Sequence, residues 1–137
     1  MDLETALEVI RSQHRGVLAT MRADGTPALT PITANVDDDG RVIISSRQTA
    51  YKVRNLRRNP LAYLCVFPDT FFGGPWVQID GTAEIIDLPE AMEHLVDYYR
   101  RTAGEHPDWD DYRAAMTRDQ RALIRLTITR VGPNVSG

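Results

Sequence analysis

The residues best suited to chemistry in this sequence lie in one basic stretch, Arg47-Gln-Thr-Ala-Tyr-Lys-Val-Arg-Asn-Leu-Arg-Arg58, which contains no acidic residue. The whole chain carries a formal charge of −3, and of its 16 lysines and arginines only Lys52 is a lysine. The stretch follows directly on a strand-like run, Val42-Ile-Ile-Ser-Ser46. The hydroxyls of Ser45 and Ser46, the cations of Arg47 and Lys52, and the start of a helix therefore meet at one strand-to-helix junction. Such a junction suits phosphate or carboxylate oxygens, because charged donors and free helix N–H groups converge there. A second group, Thr30-Pro31-Ile32-Thr33 with Trp76 and Gln78, offers irregular backbone and an indole, which suit a flat heterocycle. The plainer alternative for the basic stretch is a solvated helix face, which would show the same charge pattern.

Side-chain catalysis finds less support. The chain lacks a glycine-rich dinucleotide fingerprint, a phosphate loop and a Gly-x-Ser-x-Gly elbow. His14, His94 and His106 fall in separate elements without metal-ligand spacing, and Cys65 sits in an apolar run that reads as a buried structural thiol. Asp37-Asp-Asp39 has the composition of a turn, and Asp108, Asp110 and Asp111 suit a helix N-terminus. No catalytic residue and no metal ligand is assigned on these grounds. A binding surface without an acid–base apparatus can still serve an enzyme when a cofactor carries the reaction.

These groups must be positioned by a single domain spanning 1–137, since the chain is too short for two cores. Leu3, Leu7 and Ile10 recur at helical spacing after Asp2, and Gly16 is expected to end that helix. Gly16–Arg22, Pro27–Val36 and Arg41–Ser46, joined by Asp24-Gly25 and Asp39-Gly40, predict a three-strand antiparallel meander. Pro27 and Pro31 demote the second strand to an edge or a bulged one. A helix over Gln48–Arg58 follows, stopped by Asn59-Pro60, and then strands over Leu61–Phe67 and Trp76–Ile86, with a bulge at Gly81. Asp87-Leu-Pro-Glu90 has the form of a capping box before a helix that presents Leu88, Met92, Leu95, Val96, Tyr99 and Ala103 on one face. Asp108 caps a further helix carrying Tyr112 and Met116, and the last strand runs Ala122–Val131. The sum is a mainly β, six-stranded antiparallel barrel with peripheral helices. The mild acidity argues against a general nucleic-acid partner, and no apolar run approaches the roughly 20 residues needed to span a bilayer. A single cysteine and an acidic N-terminus make a cytoplasmic home the simplest expectation.

Four stretches give the chain a family resemblance: Gly16-Val-Leu-Ala-Thr20 with Asp24-Gly-Thr-Pro27, Lys52–Pro60, Gln78-Ile-Asp-Gly-Thr-Ala83, and Tyr98–Tyr112. The sequence resembles the pyridoxamine 5′-phosphate oxidase-like superfamily, whose fold is a split β-barrel binding a flavin at a dimer interface. The Tyr98–Tyr112 stretch resembles the actinobacterial B group of that superfamily, which uses the deazaflavin coenzyme F420. The resemblance implies a homodimer with the cofactor site between subunits, and hydride transfer from reduced F420 to a conjugated small-molecule acceptor. It places Lys52 and Asn55 near the cofactor's phosphate and acidic tail, Ser45 and Ser46 among its hydroxyl contacts, and Thr30, Pro31 and Ile32 along the ring. Trp76 is expected to reach the site from the partner subunit, with Gln78 beside it. The family pattern has a further basic residue where this chain has Ala50, so Arg47 is expected to supply that charge. An FMN-binding oxidoreductase is the alternative within the same fold, and a non-catalytic flavin carrier is the alternative outside enzymology. The Asp69–Pro75 loop is expected to line the acceptor.

Overall fold

The computed structural model describes residues 1–70 and 73–133. Helix α1 (Leu3–Gln13) leads into β1 (Arg15–Met21), β2 (Pro27–Thr33), β3 (Asn35–Val36) and β4 (Val42–Arg47). Helix α2 (Tyr51–Arg58), β5 (Leu61–Val66), β6 (Val77–Ile86), α3 (Ala91–Ala103), α4 (Trp109–Arg118) and β7 (Arg121–Gly132) complete the order. All seven strands join one antiparallel sheet in the order β2-β1-β5-β6-β7-β4-β3.

That order dictates the shape. The two edge strands, β2 and β3, are consecutive in sequence with only Ala34 between them. A sheet whose opposite edges are joined by one residue must curl until they meet, and β2 and β4 do come into contact across the gap. Ala34, the link between the two edges, continues the β1–β2 register, since it stands opposite His14 just beyond the Arg15–Thr33 pair. Its N–H donates to the His14 carbonyl at 2.7 Å, and the His14 ring Nδ1 hydrogen-bonds the Ala34 carbonyl at 3.1 Å. The six-stranded expectation is thereby corrected to seven, since Pro27–Val36 is two strands serving opposite edges. The meander is corrected too. Its two hairpins form, but β5, β6 and β7 enter between them.

Local chemistry accounts for most element boundaries. Asp2 accepts a hydrogen bond from the Thr5 N–H and opens α1, while Asp108 does the same for α4 through Asp111. The end of α1 is His14, at φ 56°, and not Gly16. Gly16 lies inside β1, where a Cβ would stand 2.5 Å from the Cys65 carbonyl oxygen. The Gly81 bulge is present as a register shift between Asp80 and Gly81. The capping box is not. Asp87 instead gives both carboxylate oxygens to Arg57 at 2.7 Å, and no side chain caps α3.

The barrel interior is filled by Leu18, Ile44, Leu64, Ile79, Ile124 and Leu126, with α1 and α2 contributing Ile10 and Val53. A second cluster lies on the outer face of β4 and β7, where Ile43 and Leu123 meet Leu95, Val96 and Tyr112. Period-two alternation thus places two apolar cores on opposite faces of the same two strands, which is why Val42-Ile-Ile44 is apolar without a break.

Candidate functional site

An open pocket of about 720 Å³ occupies the split in the barrel. The edge strand β2 contributes Pro31, Ile32 and Thr33, β4 contributes Ser45, α2 contributes Lys52, and the start of β7 contributes Arg121. Tyr98, Tyr99, Tyr112 and Met116 form the wall from α3 and α4, with Arg15 at the rim. No carboxylate is among these lining residues.

Each side chain reaches the pocket for a local reason. Along β4 the residues alternate, so Ile43 and Ser45 turn toward α3 and α4 while Val42, Ile44 and Ser46 turn into the barrel. Ser45 therefore lines the pocket, whereas Ser46 is 1% exposed and its hydroxyl donates to the Arg47 carbonyl. On β2 the Thr33 carbonyl accepts from the Tyr98 hydroxyl at 2.9 Å, on the side away from β1. Backbone groups alternate sides along a strand, so those of Leu29 and Pro31 also point to the open edge. The missing Pro31 donor thus removes no bond from the ladder, in agreement with an edge strand carrying proline.

Lys52 stands in the first turn of α2, half-buried and bonded to no carboxylate among the described residues. Its pKa lies below the ordinary lysine range, first because burial disfavours the ammonium and second because the Arg121 charge repels it. Asn55 is oriented differently. Its amide Nδ2 donates to the Thr20 hydroxyl at 3.1 Å in the interior, and its Oδ1 accepts from Arg58 at 3.0 Å. Arg58 also donates to the Met21 carbonyl at 2.8 Å. Asn55 thereby ties α2 to β1 and holds Lys52 in register without lining the pocket itself.

The α3–α4 wall is fixed from behind. Tyr99, His106, Trp109 and Tyr112 form a ring cluster with centroids 5.0–5.8 Å apart. The Tyr112 hydroxyl donates to the Leu95 carbonyl at 2.8 Å, and burial pushes its pKa up to about 12. Burial also raises Tyr98, although the Ser45 backbone N–H and the Arg121 charge pull the other way.

The remaining sequence candidates lie elsewhere. Thr30 is half-buried on β2 just beyond the pocket, and Arg47 is exposed opposite Arg121 on the neighbouring strand. Trp76 and Gln78 line a second cleft of about 240 Å³ with Asp80, Arg130 and Pro133. Within the Asp69–Pro75 loop, Phe71 and Phe72 fall outside the described residues. Burial raises the Cys65 thiol pKa, away from the thiolate a nucleophile needs. Sequence reasoning did not single out Arg121, Arg15 or Tyr98 for the site; it put Tyr99 on the packing face of one helix and Tyr112 and Met116 on the next helix without a role. Helical periodicity identifies a buried face but not the cavity at its edge.

Comparison with known proteins gives this architecture its family. The family model for pyridoxamine 5′-phosphate oxidase matches residues 3–134, and the chain belongs to that family. Its fold is similar to a conserved hypothetical protein, Rv2991, of Mycobacterium tuberculosis, at 26% identity and TM-score 0.78 over 100% of this chain and 92% of the other. It is similar to an F420 reductase at 23% identity and TM-score 0.68, covering 91% and 94% of the two chains. A putative pyridoxamine 5′-phosphate oxidase of Listeria innocua aligns at 17% identity and TM-score 0.69, covering 95% of each. The last two likenesses concern the fold alone.

Proposed function

We propose that this chain is an F420-dependent reductase of the actinobacterial B-group type, holding the deazaflavin coenzyme in the pocket at the barrel split. The observation that carries the reading is Lys52. It is a half-buried cation with no carboxylate partner among the described residues, beside the Ser45 hydroxyl and an open strand edge. The donor set fits an anionic, flat group. Lys52 and Ser45 would hold its phosphate, while the edge of β2 at Pro31 and Thr33 and the tyrosine wall would orient the ring. When bound and reduced, F420 supplies a hydride to an unsaturated acceptor. The chain's own part is to bind, to orient and to exclude water from the ring. The resemblance of the Tyr98–Tyr112 stretch to the F420-using B group favours this cofactor over FMN.

The same donor set would take the phosphate of FMN, which makes an FMN-binding oxidoreductase the second reading. The outer face of β2, β1 and β5, with the loop that enters β6, bears Leu29 at 69% exposure together with Leu61, Phe67 and Trp76. An exposed apolar surface of this kind suits self-association. The chain would act there as a homodimer, each subunit lending its Trp76 and Gln78 to the site of the other. Paired titration with F420 and FMN tests the cofactor. Submicromolar binding of F420 with weak FMN binding supports the proposal, the reverse order favours the second reading, and parity of both with inorganic phosphate defeats each. Turnover of reduced F420 with a quinone or enone separates an enzyme from a carrier.

A further inference from the structure

Arg121 opens β7 and lines the pocket beside Lys52. Its Nε is buried and has no hydrogen-bond partner. The Nε of Arg41 shares that condition, but Asp37 Oδ2 lies 3.3 Å from it and neutralises the charge. No carboxylate lies within ion-pair reach of Arg121 among the described residues. The register adds a second anomaly, because Arg47 on β4 stands directly opposite Arg121. Like charges at facing positions of a ladder repel, and no acid among the described residues pairs with either. Arg11, Arg57, Arg100, Arg101, Arg113 and Arg125 all have carboxylate partners, so the chain does not lack acids to place. Arg47 has no ion-pair partner among the described residues either, but it is exposed, where solvent screens its charge. Arg121 differs in lining the pocket beside Lys52 and in leaving its Nε without a partner.

We propose that Arg121, and not Arg47, is the second cation of the anion site, and that the ligand seats a phosphate-type oxyanion between Lys52 and Arg121, near the Ser45 hydroxyl. The arrangement explains the charge cluster: in the free protein two neighbouring cations repel, and an anion relieves both at once. It also places the site between α2 and β7, a pairing remote in sequence, and not along the basic helix. The inference rests on the cofactor reading only for the ring. The anion site stands on its own donors.

The test is calorimetric titration of the intact chain with inorganic pyrophosphate, F420 and FMN, alongside thermal melts without ligand. Wild type, Arg121→Gln, Arg121→Lys and Arg47→Gln are compared. Arg121→Gln should weaken pyrophosphate binding about tenfold or more, the scale of one charge-assisted contact, and should not lower the ligand-free melting temperature. Arg121→Lys should restore part of the affinity, and Arg47→Gln should stay within about twofold of wild type, as an exposed charge does. Equal pyrophosphate affinity in wild type and Arg121→Gln overturns the proposal, as does absence of pyrophosphate binding to wild type. A fall in ligand-free melting temperature for Arg121→Gln also overturns it, by making the arginine structural. Arg121-dependent pyrophosphate binding without F420 or FMN binding sustains this inference and defeats the cofactor reading. F420 binding that is indifferent to Arg121 does the opposite.

Discussion

The two ends of helix α2 come from one basic run and meet opposite fates. In the last turn, Arg57 is paired with Asp87, while Arg58 donates to the Met21 carbonyl and to Asn55. In the first turn, Lys52 stands beside Arg121 in the pocket, and no carboxylate is among the described lining residues. The paired end fastens the helix to the barrel; the unpaired end holds charge in reserve. A charge run read from sequence has the same appearance in both roles, and the partner set separates them. Stability and binding should therefore respond to different substitutions within a single eight-residue helix.

The largest expected effect is on binding. Lys52→Ala should reduce affinity for the anionic ligand by about 1.5–3 kcal/mol, the range for a hydrogen bond to a charged group, and leave the ligand-free melting temperature unchanged or higher. Calorimetry with paired melts checks this, and a lower melting temperature with intact affinity would reverse the assigned roles. The converse is Asn55→Ala. Leaving the Thr20 hydroxyl without its partner and freeing Arg58 should destabilise the fold by about 1–3 kcal/mol, read from denaturant midpoints. Tyr98→Phe removes the bond to the Thr33 carbonyl across the split, and a loss of about 0.5–1.5 kcal/mol in stability is expected from the same measurement. Arg57→Ala breaks an exposed pair and should cost at most about 1 kcal/mol, with no change in ligand affinity.

The smallest effect is on pH dependence. The folded Lys52 has a depressed pKa, so the unfolded chain holds more protons just below the ordinary lysine value of about 10.4. Its contribution makes ligand-free stability rise with pH through that window. Tyr98 and Tyr112 act with the opposite sign, because their raised values give stability that is lost as pH climbs above the unfolded tyrosine value of about 10. The lysine share is thus the difference between wild type and Lys52→Ala in parallel alkaline melts. Anion affinity should fall with rising pH as Lys52 deprotonates, and the Lys52→Ala protein should lack that fall.

Features governed by neighbours in the chain are legible in the sequence. The Asp-Gly turns, the Asp2 and Asp108 caps and the Gly81 bulge each depend on a few adjacent residues, and each is present. The capping box at Asp87 does not form because an arginine 30 residues away takes its carboxylate. The site is legible in part. Lys52, Ser45, Pro31 and Ile32 converge on the pocket, while Asn55 and Ser46 turn inward and Arg47, Trp76 and Gln78 lie apart. Alternation along β4 allows only one of Ser45 and Ser46 to face a given side. Which side holds the pocket depends on α3 and α4, packed from far along the chain.

The sequence by itself determined most of the elements, the edge character of β2 and a concentration of positive charge at one strand-to-helix junction. These follow from side-chain period, turn residues and backbone restrictions that act over a few residues. Only the tertiary structure decided that β2 and β3, one residue apart in sequence, sit at opposite edges of the sheet, and that Arg121 stands beside Lys52 in the opening. Those outcomes depend on which distant strands pair, and no local rule reads a contact between residues 52 and 121.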